Sequence, residues 1–450
     1  MAEAQKTSDI YGMLLDRGTQ KVLMLLEEKG GWTLAHVHIP DKRVWPAMVG
    51  VGRGALQNIL AADITVLRRV DAAYSADRSH VDLIYELENH SPDWTPPPEG
   101  RWIDRAALQT LSLMHPEQRA IIEAELDALS ANQISGLRPP WAQPGWFQSA
   151  SDWMRDQLTA RNYVLTGATE QVKSWGISCL LKVPTGQGDI YFKVASALPL
   201  FGNEPQVLQA LAQRYPDRVP APIAIEPEQR WMLMQDFGAE LRDMPTLERW
   251  ETAILRFGTL QIQAVSDVED LLAAGCLDRR LNILAQQIDP LVNDEQITAL
   301  LSADEMSQLR ALAPRLKTLC GELAGYHVPY SLNHGDLHSG NITGENLLFF
   351  DWTDACIAHP FLDLSTIVDD VEESLTGGRE QVVDIYLNLW TAYEPLDRLR
   401  VMWKLAEPLG ALHQAVSYQH ILAALELSSR PELSDGVRHW LGRVIQTMPE

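Results

Sequence analysis

Residues 331–365 read SLNHGDLHSGNITGENLLFFDWTDACIAHPFLDLS, and the fold is read outward from this stretch. Two polar clusters, HGDLHSGN and DWTD, stand on either side of the apolar run Leu347–Phe350. A turn signal, Gly344-Glu345-Asn346, separates two strand-like segments, Asn341–Thr343 and Leu347–Phe350, and predicts a hairpin. Such a hairpin carries Asp336, Asn341 and Asp351 to one end. Carboxylate and amide oxygens suit Mg²⁺ bound together with a polyphosphate. A carboxylate in that place also suits the proton of a hydroxyl attacking phosphorus.

One aspartate cannot easily serve as both base and metal ligand, so the spacing matters. In phosphotransfer sites of the protein-kinase type, a catalytic-loop aspartate is followed five residues on by a metal-binding asparagine. Asp336 and Asn341 have that spacing, and Asp351 follows a hydrophobic strand. Here the sequence resembles the aminoglycoside phosphotransferase and choline kinase-like family of small-molecule kinases, in HGDLHSGNI and LLFFDWTDA. The resemblance implies Asp336 as catalytic base, Asn341 and Asp351 as Mg²⁺ ligands, and ATP as donor. It covers about residues 160–450. A zinc pair at His334 and His338 would want a helix and a third ligand, and Gly335, Ser339 and Gly340 argue for a loop instead. For Asp363 the resemblance implies a cap on the following helix or a brace for the catalytic loop.

Upstream, Tyr163–Glu170, Ser178–Val183 and Asp189–Val194 read as strands of a small nucleotide-binding lobe. Lys193 sits in the apolar strand DIYFKVA, where an ammonium is costly unless it meets an anion. The alternative is a strand lysine snorkelling outward. The resemblance assigns Lys193 to the ATP α/β-phosphates and Glu204, which begins the helical run EPQVLQALAQRYP, as its partner. Ser178, after the loop Lys173–Ile177, is assigned a phosphate contact. No GxxxxGK[ST] run exists, so a P-loop is excluded. The strand Trp231–Gln235 exits through Gln235-Asp236-Phe237-Gly238, the expected hinge whose backbone at Gln235 and Phe237 meets adenine. The letters DFG are a coincidence there, since the metal-binding aspartate must follow the catalytic loop.

Beyond the hinge the pattern is helical: Leu247–Val265, Asp267–Ile283, Asp304–Leu323, Leu364–Glu373, Glu380–Tyr393, Pro395–Leu427 and Glu432–Met448. Asp369, Asp370, Glu372 and Glu373 read first as a solvated helix face, and more sharply as an acidic lip for a cationic acceptor. Asp354 stands close enough to the metal loop to face the acceptor as well.

Ahead of the kinase-like region, Lys21–Glu27, Trp32–Ile39, Thr65–Val70 and Val81–Leu87 read as strands, with helices at Val44–Leu60 and Pro116–Leu129 and a further segment at Arg101–Thr110. This order, with EGRWIDRAAL, resembles a Nudix-type domain. Nudix hydrolases hold Mg²⁺ with glutamates on a signature helix, but Trp45–Ala62 contains no Asp or Glu. A hard divalent cation has few substitutes for carboxylate oxygen. The domain is therefore expected to be dead as a Nudix hydrolase and to serve recognition, interaction or cover. Between residues 130 and 148, prolines forbid a continuous helix and mark a linker. Its aromatics Trp141, Trp146 and Phe147 should pack on a neighbour. The helix Ser151–Arg161 should lead into the next domain.

The whole is expected to be α+β: a bilobal protein-kinase-like fold, strand-rich lobe then helical lobe, with an extra N-terminal Nudix-like α/β domain. The divisions are 1–130, a linker and lead-in helix at 131–158, 159–238, and 239–450. A net charge of −23 argues against nucleic acid as partner and is compatible with a cationic acceptor. The N-terminus lacks the basic flank and apolar core of a signal peptide, and no apolar run is long enough to span a bilayer. Four scattered cysteines form no CxxC pair and fit reduced thiols in the cytoplasm. The expected activity is ATP- and Mg²⁺-dependent transfer of a γ-phosphate to a hydroxyl of a small molecule, aminoglycoside- or amino-alcohol-like. The alternative is a pseudokinase-type nucleotide-binding or interaction module.

Overall fold

The structure is a computed structural model and describes residues 6–28, 30–40, 44–375 and 377–449. Residues 1–5, on which the expectation of no signal peptide partly rests, lie outside the described residues. The chain is a mixed α/β protein that divides into two compact units, Met1–Val194 with Leu425–Arg430, and Ala195–Ala424 with Pro431–Glu450.

The first unit opens with strands β1 (Thr7–Asp16), β2 (Lys21–Leu26), β3 (Trp32–Thr33) and β4 (Ala35–Ile39), and helix α1 (Gly50–Leu60). Strands β5 (Ile64–Tyr74), β6 (His80–Asn89) and β7 (Gly100–Ile103) follow, then α2 (Arg105–Thr110), α3 (Arg119–Ser130) and α4 (Trp146–Thr159). The sheet runs β3-β2-β1-β6-β5, with β4 added to β1 and β7 to β2, and its β1–β6 pair is parallel. Side chains alternate across it as strand geometry requires. Ile10, Leu14, Val81 and Leu83 pack on one face with Leu56 and Leu60 of α1. Tyr11, Met13 and Ile84 pack on the other with Ile122 and Leu126 of α3. The sequence reading placed its first strand at Lys21–Glu27, so β1 is a strand that only the structure reveals. The expected helix from Val44 begins only at Gly50, and Val44 N–H donates to Ser8 Oγ at 2.8 Å. α1 carries no carboxylate.

Three more strands complete this unit: β8 (Glu170–Ser174), β9 (Ser178–Thr185) and β10 (Gly188–Ala195), whose last residue falls beyond the division. A strand was expected at Tyr163–Glu170, but β8 begins where that segment ends. The reason is tertiary. Buried Gln171 exchanges two hydrogen bonds of 2.8 Å with the backbone N–H and C=O of Val66 on β5, and Ser174 N–H donates to Ala47 O at 2.8 Å. The linker aromatics do pack inward: Trp141 is buried and its indole donates to Trp175 O at 2.8 Å. α4 starts earlier than expected, behind Gly145 at φ 82°.

The second unit begins with α5 (Glu204–Arg214) and the antiparallel pair β11 (Ala224–Glu226) and β12 (Trp231–Gln235). Then come α6 (Leu247–Ala264), α7 (Val268–Ala273), β13 (Leu277–Asp278), α8 (Leu281–Val292), α9 (Glu295–Thr298) and α10 (Ala303–Ala324). The expected continuous helix Asp267–Ile283 is broken at Gly275, which adopts φ +108° and admits β13. β14 (Ser331–Asn333) and β15 (Cys356–Ala358) bracket the decisive stretch, and α11 (Asp363–Ser374), α12 (Arg379–Leu389), α13 (Leu396–Ala423) and α14 (Pro431–Thr447) close the unit. β13, β15 and β14 form a small sheet in that order. Its core is aromatic, with Trp250, Phe257, Phe349, Trp352, Phe361, Tyr386 and Trp390 fully buried.

Candidate active site

The two polar clusters leave the same end of one strand pair. β14 and β15 are antiparallel with Asn333 opposite Cys356, so the residues after Asn333 and those before Cys356 emerge side by side. At that exit Gly335 adopts φ +86°, and a Cβ on it would stand 2.5 Å from Asp354 O. Only glycine accepts both the left-handed backbone and that approach. The hairpin predicted between the clusters is present but minimal. Ile342 pairs with Phe349 across an isolated antiparallel bridge, Thr343 N–H donates to Leu348 O at 2.9 Å, and Phe350 N–H donates to Asn341 O at 3.0 Å.

Local hydrogen bonds hold each candidate residue. Asn341 donates its side-chain N–H to Asp336 O at 2.8 Å, which leaves Oδ1 as the amide's acceptor. Asp351 sits in the left-handed region at φ 63°, ψ 61°, where aspartate is tolerated better than most residues. Its Oδ1 lies 2.8 Å from the hydroxyl of Thr353, and that hydroxyl is also 3.0 Å from Oε2 of Glu204. Glu204 is buried at the first turn of α5. Thr353 thus bridges two carboxylates that were expected to serve metal and nucleotide separately. It lay inside the quoted DWTD cluster, but nothing in its spacing marked it.

His334 is not a zinc ligand in waiting. Its Nε2 is 2.9 Å from Phe350 O, an atom that can only accept, so Nε2 carries the proton and donates. The ring also lies 4.6 Å from that of Trp352. His334 therefore ties the first cluster to the residue just before Asp351. His338 accepts Gly340 N–H on Nδ1 at 3.0 Å, and its Nε2 stands 3.8 Å from Asp336.

Asp363 braces the loop from beneath. Its Oδ2 accepts His334 N–H at 2.7 Å and its Oδ1 accepts Gly335 N–H at 2.9 Å. Gln261 of α6 donates to Oδ2 at 3.2 Å, and Tyr386 of α12 donates to Gln261 at 2.5 Å. Burial raises the Asp363 carboxyl to about 7, against the pull of the two backbone N–H donors. Arg242 packs over Gly340, leaving no room for a Cβ, and pairs with Glu240 at 2.5 Å.

Of the expected hinge residues, Gln235 is exposed at the end of β12, and the Phe237 ring lies 5.3 Å from that of Phe350. In the first unit, Lys193 is 9 % exposed on β10. Ser178 opens β9, and its hydroxyl accepts Trp175 Nε1–H at 2.7 Å.

The acidic run on α11 is not a bare lip. Asp369 pairs with His439 at 2.8 Å, Glu372 with Arg443 at 3.1 Å and with Arg379 at 2.5 Å, and Asp370 accepts Ser339 N–H at 2.7 Å. Asp369, Glu372, Glu373, Arg438, His439 and Arg443 line an open cavity of about 640 Å³ of mixed charge.

Residues 183–399, a little under half of the chain, match the model of the phosphotransferase enzyme family. No curated protein matches the chain. Among solved structures, a choline kinase from Cryptosporidium parvum is 13 % identical with a TM-score of 0.47, over 67 % of this chain and 91 % of that one. A choline/ethanolamine kinase family protein from Mesorhizobium loti is 15 % identical with a TM-score of 0.44, over 66 % and 98 %. An aminoglycoside phosphotransferase from Streptomyces rimosus is 15 % identical with a TM-score of 0.37, over 57 % and 98 %.

Proposed function

We propose that the chain is an ATP-dependent kinase that transfers the γ-phosphoryl group to a hydroxyl of a small molecule of the aminoglycoside or amino-alcohol kind. What supports this is that Asp336, Asn341 and Asp351 lie on the two segments leaving one end of the β14–β15 pair, Asn341 donating to Asp336 O and accepting Phe350 N–H, within the residues that match the phosphotransferase family model. In this reading residues 159–238 are the strand-rich lobe and 239–450 the helical lobe of a bilobal kinase-like fold. The first 130 residues are a Nudix-like module without the acidic helix that hydrolysis would need.

Each residue then has a task. Asp336 accepts the hydroxyl proton late in an in-line transfer. Oδ1 of Asn341 and the carboxylate of Asp351 are oxygen donors of the kind Mg²⁺ takes. Bound with nucleotide, Mg²⁺ neutralises the phosphates. Lys193 serves the α/β-phosphates with Glu204 as its partner, Ser178 reaches phosphate, and Gln235 and Phe237 present backbone to adenine. Positioning and electrostatics supply most of the acceleration, with no covalent intermediate on the protein. A cationic acceptor fits the overall charge, although α11 is more neutralised than its sequence suggests. Buried free cysteines and the lack of a membrane-spanning helix among the described residues agree with a cytoplasmic enzyme.

The test is ADP release from MgATP over a panel of hydroxyl-bearing amines, amino alcohols and aminoglycosides. Asp336→Asn should lower turnover by at least about a hundredfold while ATP still binds. Full turnover in that variant refutes the assignment of the base. Mg²⁺-dependent ATP binding with no ADP from any acceptor would make the chain a nucleotide-binding module instead. Release of nucleoside monophosphate by the intact protein would restore hydrolysis to the first domain.

A further inference from the structure

The first unit carries a cluster of histidines and aspartates that phosphotransfer does not use. It lies on one face of three neighbouring strands. Asp9 of β1 stands opposite Asp82 of β6 and His38 of β4, Thr7 stands opposite His80, and Tyr11 opposite His36. This is the face whose far end is covered by α3; at the near end the side chains turn polar and meet solvent.

The distances separate a hydrogen-bonded cluster from a ligand set. Oδ1 of Asp9 is held by His36 Nε2 at 2.8 Å and His38 Nδ1 at 2.9 Å. His80 behaves differently. Its Nε2 lies 3.4 Å from Oδ2 of Asp9 and 3.5 Å from Oδ1 of Asp82, too far for good hydrogen bonds. Two ligand atoms on one tetrahedral ion with bonds of about 2.0–2.1 Å stand about 3.3 Å apart, close to what is found. One ligand atom from each of Asp9, His80 and Asp82 lies within 4.8 Å of the others. On the far side of the ring, His80 Nδ1 is 2.7 Å from Thr7 Oγ1. A proton on Nδ1 given to that hydroxyl turns the Nε2 lone pair toward both carboxylates, the outer-shell arrangement of metal-bound histidine. Side-chain exposures of 20 % for Asp9, 29 % for His80 and 43 % for Asp82 leave a path for an ion.

We propose that Asp9, His80 and Asp82 form a binding site for a borderline divalent transition ion of the Zn²⁺ class. His36 and His38 fix the Asp9 carboxylate and Thr7 fixes His80. An imidazole ligand beside two carboxylates selects such an ion over Mg²⁺, which prefers oxygen and water. The ion would tie β1 to β6 across their parallel pair and so stabilise this sheet. The inference does not depend on the kinase reading, since the site belongs to another unit and another metal class.

The experiment uses the full chain, stripped with chelator and titrated with Zn²⁺ in millimolar Mg²⁺, with Co²⁺ absorption as a coordination probe. The wild type should take up about one equivalent of Zn²⁺ and melt at a higher temperature with it. His80→Ala and Asp82→Asn should each weaken binding by about a hundredfold and remove the four-coordinate Co²⁺ bands, and His38→Gln by about tenfold. Asp351→Asn should leave Zn²⁺ uptake unchanged. Asp82 is the most exposed of the ligands, so Asp82→Asn remains informative even if His80→Ala folds poorly. No uptake by the wild type, or uptake lost with Asp351 and kept without His80 and Asp82, overturns the proposal.

Discussion

At the scale of single residues, Asp363 shows how a buried carboxylate sets a loop it does not belong to. Both of its oxygens accept backbone N–H groups, from His334 and Gly335, just before the candidate base. An amide has one acceptor oxygen, so Asp363→Asn turns an NH₂ toward one of those N–H groups. Leaving a buried donor unmatched costs about 1–3 kcal/mol. The variant should melt several degrees lower and lose at least about tenfold in turnover, with ATP binding less affected; melting curves and ADP release check both. The carboxyl is also pushed up to about 7 by burial, above its value in the unfolded chain. Between about pH 4 and 7 the folded state then holds a proton that the unfolded state has released, so this group's contribution to stability falls as pH rises. Asp363→Asn should lack that component, as thermal unfolding across the range would reveal. The sequence reading offered Asp363 as a cap on the following helix or a brace for the catalytic loop, as the family resemblance implied. It could not name the partners, since Gln261 and Tyr386 reach it only through the packing of α6 and α12.

At the scale of elements, the local signals were those of turns and caps. Gly344-Glu345-Asn346 marked the hairpin because turn chemistry acts over a few residues. The β14–β15 pair escaped notice because each strand has three residues and the partners are far apart in sequence. Yet that pair is what brings Gly335 against Asp354. Thr353 belongs to the same order of structure. Thr353→Val keeps the shape and removes the hydroxyl between Asp351 and Glu204, so kcat/KM should drop about tenfold with little change in melting temperature. A normal kcat/KM would reduce Thr353 to a packing residue. Gln171 offers the contrast. Its amide satisfies both backbone groups of Val66 in a buried place, and Gln171→Leu should lower stability by about 2–4 kcal/mol, measured by denaturant unfolding.

At the scale of the molecule, the first unit contains more than the first domain read from sequence. Strands β8–β10 and residues Leu425–Arg430 belong to it, and Ser428 Oγ donates to Arg69 O at 3.2 Å while Arg138 pairs with Glu426 at 3.2 Å. Trp45 and Trp175 meet edge to face at 5.2 Å, with the Lys173 ammonium over both rings. A chain beginning at Ser151 would bare this aromatic and amide surface. Such a truncation should be poorly soluble or melt well below the full chain, whereas an autonomous kinase region would express and melt normally. The sequence by itself determined the candidate residues for metal and proton, the turn between their two clusters, and the absence of acid on α1. Those properties reside in side-chain chemistry and in a few consecutive backbone angles. Only the tertiary structure decided that His334 serves the backbone, that Thr353 joins two carboxylates, that α11 is ion-paired, and that Asp9, His80 and Asp82 share one face. Each depends on contacts between residues distant in the chain, where strand register and helix packing choose the partner and no local pattern can.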